Sequence, residues 1–181
     1  FSWASLGVEI RGRSHSLKIN YRTSHQIRRQ ADRLLNNKIS DVDGNEEDRS
    51  GTVSVFNGPN PVITVCDNVN SESGIVAGWI KKQVEAGATP GEIGIFVRSD
   101  DEVSRAEAVA HILDMPFSVL DESKDTRAEM VTISTMHLAK GLEFRYVVVM
   151  ACDDEVIPSQ SRIEEVTDMS DLEEVYSTER H

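Results

Sequence analysis

The sequence predicts an α/β domain built on a mainly parallel sheet flanked by helices. Three observations carry that expectation. Strand-like and helix-like segments alternate along the chain. The strand candidates, such as Ile93–Val97, are compact β-branched runs of the kind buried on both faces. Two helix candidates open at Ser/Thr residues with a Glu or Gln three positions on, the spacing of a capping box.

The elements follow in order. Leu17 to Asn20 is a short apolar-alternating lead-in. Thr23 with Gln26 opens a helix through about Leu35, with Ile27, Ala31, Leu34 and Leu35 on one face and Arg28, Arg29 and Arg33 off it. Residues 36–50 read as a polar, acidic loop. Its Asp41-Val-Asp-Gly stretch is not a calcium loop, because the glycine is misplaced and position twelve is Thr52. Thr52–Phe56 and Val62–Cys66 read as strands around the turn Asn57–Pro61. A helix is expected from about Ser71 to Ala86, with Ile75, Val76, Trp79, Ile80 and Val84 inward and Gly87 as its stop. After the turn at Pro90-Gly91 comes the strand Ile93–Val97. Ser99 and Glu102 then start a helix through Leu113, with Val103, Ala106, Ala110 and Leu113 inward. Phe117–Leu120 is a short strand, Asp121–Met130 a polar connector, and Val131–Thr135 and Tyr146–Met150 are strands around a Gly-containing turn. No internal repeat is evident.

Composition narrows the function. The 181 residues carry 19 Lys plus Arg against 31 Asp plus Glu, a net charge of -12. A domain that grips nucleic acid unaided is usually basic, so this one is expected to bind DNA poorly alone. The acid is uneven. Asp153 to Glu174 holds nine acids and one Arg, and Asp41 to Arg49 five acids and one Arg. Without those patches the chain is close to neutral, and Arg11 to Arg33 is basic, which leaves room for a local phosphate-binding edge. The longest apolar run, Tyr146–Cys152, is too short to cross a bilayer. With two cysteines there is no disulfide framework, and Cys66 and Cys152 read as reduced core thiols of a cytoplasmic protein. The start at Phe1 and a final helical pattern with no stop suggest a piece of a longer polypeptide.

There is no Gly-rich phosphate-binding loop, no dinucleotide fingerprint, no zinc-protease helix and no serine-hydrolase elbow. Two clusters remain, each at an element boundary, where ligands bind in α/β sheets. Asn20-Tyr-Arg-Thr-Ser24 sets a ring beside a guanidinium before a helix. That pair can stack on a base and grip phosphate oxygens, or it can be a surface Tyr and Arg at a helix start. Thr135-Met-His-Leu-Ala-Lys-Gly-Leu-Glu-Phe144 offers a hydroxyl, an imidazole, an ammonium and a carboxylate around Gly141. It can meet phosphates and ribose, or it can be an ordinary connection with Leu142 and Phe144 buried.

These two stretches closely resemble motifs IV and V of superfamily 1 helicases of the UvrD/Rep type. Between them, Ile95 to Arg105 resembles the family's strand-Arg-Ser/Thr segment leading into a helix. The resemblance runs from about Gly12 to His181 and implies a second RecA-like motor domain, P-loop NTPase-type but lacking its own phosphate-binding loop. Residues 1–19 would lead in from the first motor domain, 121–130 would stand where relatives often insert an accessory domain, and 153–174 would form an acidic loop and the start of the last helix. The resemblance further implies that Tyr21 stacks on adenine and Arg22 reaches the γ-phosphate as a catalytic group. Glu143 would hold the ribose, with Gly141 permitting close approach. Arg98, Ser99, Thr135 and His137 would line a single-stranded DNA track. ATP with Mg2+ is the implied cofactor, its metal ligands coming from the first motor domain of the same polypeptide. The implied activity is that of an ATP-dependent 3′→5′ DNA helicase or translocase. A catalytically inactive RecA-like module binding a partner protein through its acidic segment is the alternative. Lys140 matches the motif without an assigned role.

Overall fold

The computed structural model describes residues 18–33, 38–40, 46–48, 53–121 and 127–164, with residues 166, 172 and 175. The chain divides into two compact units, residues 1–64 with His181, and residues 65–180. Each is described by itself. The expectations for residues 34–37, the core of the 121–130 connector and most of the final helical segment fall outside the described residues.

In the first unit, β1 (Ile19–Asn20) pairs in parallel with β4 (Val53–Ser54), and α1 (His25–Ala31) lies between them in sequence. The expected capping box at Thr23 and Gln26 does not form, because both side chains are engaged elsewhere. Thr23 Oγ1 accepts from Asn20 Nδ2 at 2.6 Å, and Gln26 Oε1 accepts from the Gly58 N–H at 2.8 Å. Ser24 caps the helix instead, accepting from the Ile27 N–H at 3.4 Å. The expected inward face is also displaced. Ile27 is 51% exposed, whereas the Arg28 side chain is 13% exposed and paired with Asp32 one turn on. The segment read as an acidic loop contains a small antiparallel hairpin, β2 (Lys38–Ser40) with β3 (Glu46–Asp48). The expected strand Val62–Cys66 is absent. Val62, Ile63 and Val65 are 75%, 82% and 94% exposed, with no ladder partner, and Pro59 and Pro61 bring no N–H to one.

The second unit opens with α2 (Val69–Glu85). It starts two residues before the expected position because Asn68 is its cap. Asn68 Oδ1 accepts from the Ser71 N–H at 2.9 Å, and Ser71 Oγ accepts in return from the Asn68 N–H at 3.2 Å. Gly87 ends the helix as expected, at φ +101°. The Ala88 N–H donates to Gln83 O at 3.0 Å and the Gly87 N–H to Val84 O at 2.9 Å, the paired bonds of a Schellman stop. Ala77 and Ile80 are buried, with Val76, Trp79 and Val84 packed beside them. Ile75, expected inward, is 46% exposed, since two residues from Ala77 it faces the far side of the helix.

Next come β5 (Ile93–Val97), a short 3-10 turn at Asp100–Glu102, α3 (Val103–Leu113), β6 (Phe117–Val119), β7 (Val131–Thr135), β8 (Tyr146–Val149) and α4 (Gln160–Glu164). The strands form one four-stranded sheet in the order β6-β7-β5-β8, parallel throughout. β5 lies between β7 and β8, so residues 136–145, which hold the expected turn at Gly141, form a crossover between non-adjacent strands.

Alternation along the strands assigns the two faces. Ile93, Ile95, Val97, Val131 and Ile133 join Ala77, Ile80, Ala106, Val109 and Ala110 in the core under α2 and α3. Gly94 and Phe96 point to the other face. Phe144 covers them, its ring 5.6 Å from that of Phe96 at 68°. A Cβ on Gly94 would stand 2.8 Å from Phe96 Cε2 and 3.0 Å from the Phe144 ring, so only glycine admits this packing. The molecule is mixed α/β, a parallel sheet flanked by helices, as in a RecA-like fold. Among the described residues no helix is long and apolar enough to cross a membrane.

Candidate functional site

A parallel sheet gathers the residues that follow its strands at one edge, and the register decides which of them are neighbours. Val97 pairs with Thr135 at the ends of β5 and β7. Arg98 and Ser99 therefore leave the sheet beside Met136 and His137. Four residues separated by almost forty positions in sequence become one local group at the carboxyl edge of the second unit.

Their side chains differ in availability. Arg98 is half-buried. Ser99 is occupied by its own helix, since its N–H and hydroxyl both donate to Glu102 Oε2, at 3.0 and 2.7 Å. This is the capping box foreseen in the sequence. Thr135 is only 2% exposed, and its Oγ1 lies 3.0 Å from His137 Nδ1, while His137 itself is exposed. Gly141 has φ +89°, a backbone conformation L side chains rarely adopt, and nothing stands within 4 Å of where its Cβ would be. Glu143 and Lys140 are exposed.

Tyr21 and Arg22 lie in the first unit. The Asn20 side chain shapes the turn that presents them. Its Oδ1 accepts from the Arg22 N–H at 2.8 Å and the Thr23 N–H at 3.2 Å, while its Nδ2 donates to Thr23 Oγ1. Held this way, the Tyr21 ring is 68% exposed and Arg22 is exposed beside it. A ring open on this scale has a face to offer a base, and the Gly141 turn leaves room beside its backbone. Each feature, taken within its own unit, is compatible with one part of a nucleotide. Among the described residues no group of three or more His, Cys, Asp or Glu side chains could hold a metal ion.

A charged cluster that sequence reading did not single out sits at the same carboxyl edge of the second unit. Arg105, in the first turn of α3, bonds Glu72 of α2 at 2.5 Å and also the Asp153 carboxylate after β8. Glu72 spends its other oxygen on the Ala151 N–H, at 2.8 Å. Ala151 is buried at φ +58°, so this bond anchors a backbone turn that alanine rarely makes. The Asp153 bond raises the Arg105 pKa further above its ordinary value, and the Arg105 bond lowers that of Asp153. Partial burial raises the Cys152 thiol, helped by the Glu72 and Asp153 charges. Neither cysteine is the core thiol the sequence suggested. Cys66 is half-buried and Cys152 exposed, because both follow apolar runs without lying inside the sheet. Both are free thiols. A hint of the Arg105 cluster was available in the sequence, as Arg105 closes the recognised Ile95–Arg105 segment. Its partners, 33 and 48 residues away, were not.

Residues 104–176 match the model of the UvrD-like helicase C-terminal domain. That stretch, 73 of the 181 residues, is similar to the family. The matched span holds Arg105, Thr135, His137, Gly141, Glu143 and Asp153, and it begins after Tyr21, Arg22, Arg98 and Ser99. No curated protein and no solved structure matches the chain. The match supports a UvrD-type helicase C-terminal fragment, and with it a helicase, DNA-binding context.

Proposed function

We propose that the chain is the C-terminal motor segment of an ATP-dependent 3′→5′ DNA helicase or translocase, contributing part of an ATP site and part of a single-stranded DNA track. The observation that carries this reading is the Val97–Thr135 register, which brings the segments that carry Arg98 and His137 to one edge of a parallel sheet, the second of them within the stretch similar to UvrD-like helicases. A guanidinium and an imidazole carried by neighbouring segments suit the phosphates of one strand. Ser99 and Thr135 belong to the same track, the first through the start of α3 and the second through His137.

Each unit carries its own part of the nucleotide assignment. In the first, Tyr21 offers a stacking face and Arg22 a planar cation for the γ-phosphate. In the second, Glu143 offers a carboxylate to ribose hydroxyls beside Gly141. Bound ATP with Mg2+ supplies a phosphoryl group activated for transfer to water. The metal ligands and the phosphate-binding loop are assigned to a first RecA-like domain of the same polypeptide, the partner this reading requires.

Fluorescence anisotropy with single-stranded DNA at two salt concentrations tests the track. Weak binding with steep salt dependence is expected, and Arg98→Ala should flatten the salt slope by about one phosphate's worth. Tight, salt-insensitive binding, or an unchanged slope in Arg98→Ala, would remove the support for this reading.

A further inference from the structure

Thr135 and His137 stand two residues apart in the recognised motif, and both were assigned to the DNA strand. Their surroundings separate them. Thr135 ends β7 with 2% of its surface exposed, so it has no face to offer a phosphate. A buried hydroxyl still needs an acceptor for its proton. His137 Nδ1 lies 3.0 Å from Thr135 Oγ1, and the imidazole is otherwise exposed.

We infer that Thr135 is a positioning residue: its buried hydroxyl donates to His137 Nδ1, fixing the neutral ring as the tautomer that carries its proton on Nε2. A neutral imidazole holds one N–H and one bare nitrogen, and the bond made by one nitrogen decides the role of the other. With Nδ1 accepting from Thr135, the exposed Nε2–H is a donor, the polarity a phosphate oxygen requires. The opposite arrangement would turn a bare lone pair outward and repel the anion. The same bond fixes the orientation of a ring that otherwise rotates in solvent. The inference deepens the strand-track reading proposed above and rests on it for the identity of the ligand, but the tautomer itself does not.

The test has two separable halves. In the first, nitrogen-15 NMR of the histidine rings in the full chain, at mildly alkaline pH where imidazole is neutral, reports the tautomer without any ligand. His137 is expected with its proton on Nε2. Thr135→Val, nearly equal in shape but lacking the hydroxyl, should give a mixture of tautomers, and Thr135→Ser should keep the native one. A proton on Nδ1 in the native chain, or an unchanged tautomer in Thr135→Val, overturns the inference. In the second, anisotropy with an oligothymidylate measures binding. Thr135→Val should weaken binding by roughly threefold to tenfold, the range of one lost hydrogen bond. It should add nothing further to His137→Ala. Full additivity of the two losses would make Thr135 an independent strand contact and overturn the inference. If His137→Ala binds as the native chain does, the strand reading of His137 fails, and the NMR half still decides the role of Thr135.

Discussion

Replacing Arg105 with alanine should destabilise the second unit by about 2–4 kcal/mol. The figure follows from what the substitution leaves behind. The side chains of Arg105 and Glu72 are 17% and 13% exposed, whereas that of Asp153 is 53% exposed. Removing one partner of a buried pair costs about 3–5 kcal/mol, because the other charge stays desolvated. An exposed pair contributes about 0–1 kcal/mol. The Glu72 contact belongs near the first case and the Asp153 contact in the second. The Ala151 N–H, 2.8 Å from Glu72 Oε1, remains after the substitution and offsets part of the loss. Urea unfolding followed by circular dichroism is the assay. With a slope of about 2 kcal/mol/M, the midpoint of the second unit should fall by about 1–2 M. Adding Glu72→Gln removes the stranded charge yet keeps an oxygen for the Ala151 N–H. The double variant should therefore recover part of the loss instead of deepening it. A midpoint shift below about 0.3 M for Arg105→Ala, or simple additivity in the double variant, would refute the claim that a desolvated Glu72 depends on Arg105.

Two further outcomes are open to measurement. Gly94→Ala would bring a methyl within 2.8 Å of Phe96 and 3.0 Å of Phe144, and should cost about 1–3 kcal/mol in thermal or urea unfolding; a neutral result would mean that Phe144 does not seal this face. Acid should also act on the Arg105 cluster. The Arg105 bond lowers the folded-state pKa of Asp153, so its stabilising contribution is present above the ordinary carboxylate range and is lost as pH falls through the folded value. Unfolding free energy measured between neutral and strongly acidic pH should decline at the acid end, and Asp153→Asn should flatten part of that decline. A profile unchanged by the substitution would count against the pairing.

The parts of the fold legible in the sequence were those decided by local rules. Ile93–Val97 and Val131–Thr135 were read with their observed bounds because β-branched runs buried on both faces tolerate few other conformations. The Ser99–Glu102 box marked the turn into α3 because cap and partner lie three residues apart. The misreadings occurred where another group competed for a side chain or where a partner was missing. Thr23 and Gln26 have capping-box spacing, but Asn20 and Gly58 claim their side chains. Val62–Cys66 has the apolar, β-branched residues of a strand but no partner, and a strand without a ladder does not form. The site divides in the same way. Thr135 and His137 were named from one motif, whereas the division of labour between them depends on burial. The Glu72–Arg105–Asp153 cluster joins three elements, and no spacing rule in a single sequence links them.

That cluster also bears on how so acidic a chain can present an edge to a phosphate backbone. The net charge of -12 is a property of the whole sequence, and much of it lies in the stretches 41–49 and 153–174. What a strand meets is the local field, which falls off within about 10 Å at moderate salt. At the carboxyl edge of the sheet, Glu72 and Asp153 both face Arg105, and Glu102 accepts from the Ser99 N–H and hydroxyl. Three carboxylates at this edge are thus turned toward donors of the protein itself. In the strand track proposed above, Arg98 and His137 then meet fewer unpaired carboxylates, with Asp100 and Asp101 still exposed beside Ser99. Loss of Arg105 would uncover two of those carboxylates, so the strand track proposed above and a stable second unit depend on the same guanidinium.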